Sequence, residues 1–208
     1  MKPMKSLLVL AILCAPALAS AQGYGRGRRG PPQREPIAGG FHDRTGRLTW
    51  GFGVGLGGMH DGGSAITSCV NCDIKPLALE LDAHIGGMLG PRFALMFEAQ
   101  FNGQTVQSDF RNGDTILSQG AAMVAGQFWI LPQLWVKGGI GLANLQVDDA
   151  FFTEDFGTGG ALMGAIGVEL LSARNFAFEL QGRLIEGAYN SLDDNVTSGT
   201  IGIGINWY

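Results

Sequence analysis

The sequence predicts an all-β chain: an eight-stranded antiparallel up-and-down transmembrane β-barrel with a flexible N-terminal arm. Three observations carry this. Apolar residues recur with a period of two from Leu48 to the end of the chain, the links between periodic segments alternate between short and long, and glycine supplies 34 of the 208 residues. Charged residues make up 15% of the chain, against roughly 25% in an ordinary soluble domain. So much glycine disfavours helices, where each interior Gly costs about 1 kcal/mol relative to Ala. With no G-X-Y period, collagen is excluded as well. An apolar content of 46% and a formal charge of only −4 exclude disorder over the whole length.

Residues 1–21 read as a secretory signal peptide. Lys2 and Lys5 form the basic n-region, Leu7 to Leu13 the apolar h-region, and Ala19, Ser20 and Ala21 an A-x-A cleavage site. Cys14 follows Leu13 inside the apolar core rather than a small residue, which argues against lipidation. Residues 22–47 are rich in Gly, Pro and Arg and have no apolar period, so they read as an arm outside the fold. Arg26, Arg28 and Arg29 resemble an RGG segment, but an exported chain does not meet nucleic acid, and none is expected as a partner.

Residues 48–208 divide into eight alternating segments. Leu48, Trp50, Phe52, Val54 and Leu56 oppose Thr49, Gly51, Gly53, Gly55 and Gly57; Leu77, Leu79, Leu81, Ala83 and Ile85 oppose Ala78, Glu80, Asp82, His84 and Gly86. Phe93, Leu95, Phe97, Ala99 and Phe101 oppose Ala94, Met96, Glu98, Gln100 and Asn102, and Ala122, Val124, Phe128 and Ile130 oppose Gln119, Met123 and Gln127. Leu134, Val136, Ile140 and Leu142 oppose Trp135, Lys137, Gly139 and Gly141; Leu162, Ile166, Val168 and Leu170 oppose Met163, Ala165, Gly167 and Glu169. The last two set Phe176, Phe178, Leu180 and Leu184 against Glu179, Gln181 and Arg183, and Ile201, Ile203, Ile205 and Trp207 against Thr200, Gly202, Gly204 and Asn206.

Short links are expected at 89–92, 132–133 and 172–175, and long ones at about 59–75, 103–114, 147–158 and 187–197. One tight rim and one loose rim, with an even number of strands long enough to cross hydrocarbon, match a transmembrane barrel. A soluble sandwich explains the alternation but not that asymmetry. Charge follows the sides. The long links hold Asp61, Asp73, Asp109, Asp114, Asp148, Asp149, Glu154, Asp155, Asp193 and Asp194 against Lys75 and Arg111, whereas the arm and short turns are rich in Arg. Glu80, Asp82, Glu98, Glu169, Glu179 and Glu186 are expected with Lys137 and Arg183 mostly on the small-residue face, which makes that face the lumen and the bulky face the lipid contact.

On these residues the chain resembles the small eight-stranded outer-membrane barrels of Gram-negative bacteria, the OmpA membrane domain and the OmpX group, over about Leu48 to Tyr208. The resemblance implies an outer-membrane location, a periplasmic arm, and contact with outer-membrane lipids and lipopolysaccharide. It also implies that Ile201, Ile203, Ile205, Trp207 and Tyr208 form the terminal signal read by the barrel-assembly machinery. By parity Tyr208 faces the lumen, leaving Trp207 to face lipid. The peptidoglycan-binding domain that follows OmpA-type barrels is missing from this sequence.

Local motifs add little chemistry. Gly53 to Gly58 matches G-x-G-x-x-G, but a dinucleotide fingerprint must leave a strand and open a helix, whereas these glycines lie within an alternating segment. No cofactor is expected. Glu80, Asp82 and His84 share a strand face, where neighbours point in parallel rather than converge on a metal; an ion-pair network of Glu80, Asp82, Glu98, Glu169 and Glu179 with Lys137 and Arg183 fits better, because buried charges need partners. Cys69 and Cys72 in an exported chain are expected to form a disulfide, with no βαβ pattern around them to support a redox role. The Asp148, Asp149, Glu154 and Asp155 group lacks EF-hand spacing and reads as a solvated loop.

A non-enzymatic barrel with a structural or surface-interaction role follows, its lumen filled by side chains as in other eight-stranded barrels and its acidic loops open to an extracellular ligand. Two alternatives belong to other classes. A lipid-modifying barrel enzyme needs a Ser/His/acid group near a rim, and only His42, His60 and His84 are present. A narrow channel or small-ligand carrier is favoured by the glycine face of the first strand and opposed by the lumen charges.

Overall fold

In a computed structural model the described residues are 40–62, 64–66, 77–107, 114–148, 153–189, 192 and 195–208. The expected signal peptide, residues 22–39 of the expected arm, and Cys69 and Cys72 lie outside them. Nine strands occur in chain order: β1 (Leu48–Asp61), β2 (Ser64–Ala65), β3 (Ala78–Met88), β4 (Phe93–Gln107), β5 (Asp114–Trp129), β6 (Leu134–Asp148), β7 (Thr153–Ser172), β8 (Phe176–Ala188) and β9 (Val196–Trp207). Each of β1 and β3 to β9 pairs antiparallel with its sequence neighbour, and β1 pairs with β9 from Trp50↔Trp207 to Asp61↔Val196. This is a closed eight-stranded up-and-down barrel. β2 only extends the far end of β1, through His60↔Ala65 and Asp61↔Ser64.

The two faces follow the sequence period. Leu48, Phe52, Val54, Leu79, Phe97, Val124, Ile140, Leu184 and Ile201 all stand exposed on the outside, while Glu80, Glu98, Gln119, Lys137, Glu169 and Arg183 are buried within. An exposed apolar surface of this extent is unfavourable in water. It is what a spanning barrel presents to hydrocarbon, where closure also leaves no strand edge unpaired. A first consequence can be checked. Phe97, 53% exposed, faces outward and Gln100, 5% exposed, faces inward on the same strand. Phe97→Arg should therefore lower the stability of the folded barrel in lipid by about 2–4 kcal/mol, and Gln100→Arg should lower it less, as read from urea titrations in vesicles; equal losses would mean that the faces are misassigned.

The structure corrects three expectations. The links expected at 103–114 and 147–158 shrink, because β4 runs to Gln107, β5 opens at Asp114, β6 ends at Asp148 and β7 opens at Thr153. Asp114, Asp148, Glu154 and Asp155 are thus ladder residues, paired through Gln107↔Asp114, Ile116↔Asp148, Val147↔Glu154 and Gln146↔Asp155. The apolar period stops where lipid contact stops, whereas backbone pairing continues past it. Glu186 is exposed on the outer face and accepts a 2.6 Å hydrogen bond from Asn195 Nδ2. Finally, residues 40–47 of the expected arm include a buried side chain, Arg44. Gly46, at φ +74°, makes the turn that brings this segment onto β3, with Gly46 N–H donating to Met88 O at 2.8 Å.

Candidate functional site

The lumen is the place where this chain concentrates polar chemistry, and it is organised in three levels. At mid-height, β3 and β4 aim Glu80, Asp82 and Glu98 inward, and β6 and β8 supply Lys137 and Arg183. Arg183 Nη1 lies 2.9 Å from Glu80 and 3.0 Å from Glu98, and its Nη2 lies 3.3 Å from Asp82. The same Nη2 donates to Gln181 Oε1 at 3.1 Å. Lys137 Nζ is 3.1 Å from Glu98 Oε2. Gln181 Nε2 donates to Asp82 at 3.0 Å, and the Thr200 hydroxyl donates to Glu80. One planar guanidinium is thereby shared among three carboxylates from two strands on the opposite wall, a role that its fork of donors suits.

The first strand makes room for this cluster. A Cβ at Gly53 would run into the Asp82 carboxylate and the Gln181 amide, and one at Gly55 would lie 3.0 Å from Glu80 Oε2. The glycine run that matches a nucleotide fingerprint literally is therefore the wall against which the lumen charges pack. Gly167 on β7 serves the same purpose for the buried Trp135 ring.

Towards the long-loop end the chemistry turns neutral. Gln119 Nε2 donates to Tyr189 Oη at 2.8 Å, Ser198 Oγ donates to Gln119 Oε1 at 2.8 Å, and Asn102 Nδ2 donates to Ser198 at 3.1 Å. Burial raises the Tyr189 phenol above its ordinary range. Gln104 accepts from Met59 N–H at 2.9 Å and donates to Ile66 O, so one amide ties the β1–β2 extension to the inner wall.

The short-turn end holds a second ionic cluster, which includes the residue that sequence reasoning missed. Arg44 Nη1 and Nη2 donate to the two Glu169 oxygens at 2.9 and 3.1 Å, and Nη2 also reaches Ser172 Oγ at 3.1 Å and Ala173 O at 2.8 Å. Glu169 accepts further from Trp129 Nε1 at 2.8 Å, from Tyr208 Oη at 3.1 Å and from Ser172. The Arg44 guanidinium lies 3.6 Å from the Tyr208 ring centroid. Burial and the adjacent Glu169 carboxylate hold the Tyr208 phenol well above its ordinary range, so it stays a donor. Glu179 accepts from Trp135 Nε1 at 2.9 Å.

Thus Glu80, Asp82, Glu98, Lys137 and Arg183 meet in one cluster, while Glu169 sits in another centred on Arg44. A signal for Arg44 existed. Five lumen carboxylates faced only Lys137 and Arg183, an imbalance that called for another cation. At the seam, Tyr208 turns inward and Trp207 outward, where its ring stacks on Trp50 at 4.3 Å and 11° and touches Phe52 and Phe176 at 5.7 and 5.9 Å. His84 is buried in the lumen with Nδ1 4.0 Å from Asp82 Oδ1. Among the described residues no group of three or more His, Cys, Asp or Glu is arranged to hold a metal.

No protein-family model and no curated protein matches the chain in sequence. Solved structures do match in shape. Ail, the attachment invasion locus protein of Yersinia pestis, in complex with the heparin analogue sucrose octasulfate, is 14% identical and aligns over 78% of this chain and 98% of its own with a TM-score of 0.50. Neisserial surface protein A is 15% identical over 77% of this chain and 95% of its own, TM-score 0.49. The outer membrane protein OprG from Pseudomonas aeruginosa is 12% identical over 79% and 96%, TM-score 0.41. Closure in eight strands, an apolar exterior and a charged interior agree with that likeness: this chain has the fold of the small eight-stranded outer-membrane β-barrels of Gram-negative bacteria.

Proposed function

We propose that the chain is a non-enzymatic outer-membrane barrel with a sealed polar lumen, acting through its surface as a structural and interaction protein with acidic extracellular loops. The observation that carries this is Arg183, whose guanidinium spans the lumen to Glu80, Asp82 and Glu98. Ions meet paired charges there, and Arg44 with Glu169 fills the short-turn end. The lipid-modifying alternative finds its best acid–histidine pair, Asp82 with His84, inside the lumen rather than at a rim facing lipid. Partners on the cell surface follow from charge. Residues 59–75, 103–114, 147–158 and 187–197 hold ten acids, five of them on strand ends, against two bases, so this chain favours cationic groups at that end, unlike Ail, whose structure holds a polyanionic heparin analogue. Lipopolysaccharide and phospholipid surround the belt, and the β9 terminus with Trp207 and Tyr208 serves as the signal for barrel assembly.

The test is single-channel recording on barrels folded into planar bilayers. The expected result is a flat baseline at moderate voltage. Steady ohmic steps whose number follows the number of inserted barrels would overturn the sealed reading in favour of the channel.

A further inference from the structure

The ladder between β1 and β9 joins the two ends of the barrel, and its inner face carries few side chains. From the short-turn end its lumen-facing pairs run Gly51↔Asn206, Gly53↔Gly204, Gly55↔Gly202, Gly57↔Thr200 and Met59↔Ser198. Two of them set Gly against Gly, which no other ladder of the described residues does on the lumen side. Between β4 and β5, by contrast, the same face pairs Glu98↔Met123 and Asn102↔Gln119. Cross-strand side-chain pairs strengthen a ladder beyond its backbone bonds, and glycine supplies none. The outer face of the seam does pair large residues, Phe52↔Ile205, Val54↔Ile203 and Leu56↔Ile201, but lipid tails cover such side chains about as well as they cover one another. At the short-turn end the ladder stops at Trp50↔Trp207, and Leu48 and Thr49 pair with β3 alone.

Residues 40–47 take over where that ladder stops, and they touch all three short turns. A Cβ at Gly40 would lie 3.3 Å from the Pro132 ring in the β5–β6 turn. The Phe41 ring centroid lies 4.0 Å from the Arg92 guanidinium in the β3–β4 turn. Arg44 reaches Ser172 and Ala173 where β7 turns towards β8, together with Glu169 and the ring of Tyr208, the residue that follows β9. Arg47 Nη1 donates to Asn175 Oδ1 at 2.5 Å, and Tyr208 N–H donates to Asn175 O at 3.0 Å. The segment that leads into β1 is therefore tied by its side chains to the residue that leaves β9 and to the turn beside it. This seat draws on residues from Arg92 to Tyr208, so it is complete only once β9 lies against β1.

We propose that residues 40–47 are a strap that bolts a glycine-lined seam: the β1/β9 ladder is where this barrel parts first, and the strap, docked after closure, holds its short-turn end together. Opening of the seam is then a partial unfolding step distinct from unfolding of the whole barrel. Arg44 controls that step because it is the side chain that crosses from the start of β1 to both Tyr208 and the β7 carboxylate.

Amide hydrogen exchange of the chain folded into lipid vesicles, read by mass spectrometry of its peptides, tests this. Folding of each variant is verified by β circular dichroism and by heat-shifted gel mobility. In Arg44→Ala, exchange in β1 and β9 should rise by about a hundredfold, the factor that corresponds to one broken buried pair, while β4 and β5 stay as protected as in the native barrel. Arg44→Lys should fall between the two. Phe41→Ala, which loosens the strap without touching Glu169, should raise the same peptides by a smaller factor, and it carries the test should Arg44→Ala fail to fold. Lys137→Met removes a buried charge at mid-lumen and should not single out β1 and β9. A rise of equal size in β4 and β5, unchanged exchange in β1 and β9, a rise in β1 and β3 with β9 still protected, or the same seam-selective rise in Lys137→Met would each overturn the bolt.

Discussion

Arg183→Met should destabilise the folded barrel by about 3–5 kcal/mol, the range for removing one partner of a buried ionic cluster and leaving its charges uncompensated. The geometry explains the size. Arg183 sits within 2.9–3.3 Å of three carboxylates, and once it is gone Lys137, 3.1 Å from Glu98, is the one Lys or Arg among the described residues still paired at that level. Met matches the volume of the stem but leaves Glu80 with the Thr200 hydroxyl, and Asp82 with the Gln181 amide and with His84 Nδ1 at 4.0 Å. Arg183→Lys should recover part of the loss, because an ammonium restores the charge but lacks the fork that reaches Glu80, Glu98, Asp82 and Gln181 together. Reversible urea unfolding in lipid vesicles, followed by Trp fluorescence, measures both. A loss below about 1 kcal/mol for Arg183→Met, the size of an exposed pair, would show that the lumen is wet enough to screen these charges.

Much of this architecture was legible because a membrane barrel writes both its surfaces into one period. Along β3 the sequence alternates Leu79, Leu81 and Ile85 with Glu80, Asp82 and His84, and the structure sends the first set outward and the second inward. The same parity set Tyr208 against Trp207, one against Glu169 and the other against Trp50. The period failed where its physical cause failed. Beyond the lipid belt either face is compatible with water, so nothing in the residue types of β4 to β7 marks where pairing ends, and the strands run further than the apolar pattern does. Glu186 lies in that zone, which is why a carboxylate on the outer face is tolerated there. Arg44 was hidden for a different reason. It stands among Gly, Pro and Arg in a stretch with no period, and only the charge count of a lumen built from other strands points to it.

The Arg44 cluster gives the second large effect, and a double-mutant cycle is the way to measure it. Arg44→Ala should lower stability by about 3 kcal/mol, the lower end of the range for a broken buried pair, because Glu169 keeps the Trp129, Ser172 and Tyr208 donors. Glu169→Ala removes the acceptor on which all of those donors and Arg44 converge, so it should cost at least as much. The double variant should lose clearly less than the sum of the two, since no charge is then left buried without its partner. Additive losses would mean that the two side chains do not act as a unit. Trypsin supplies an independent readout on the same proteins. Arg44 is 4% exposed, so the bond after it should resist cleavage in the folded native barrel and open faster in Glu169→Ala, where the guanidinium loses its bidentate carboxylate and keeps Ser172 Oγ and Ala173 O, beside the Gly46–Met88 and Arg47–Met88 backbone bonds. Cleavage after Arg44 at equal rates in native and Glu169→Ala barrels would show that this pair is not what protects the segment.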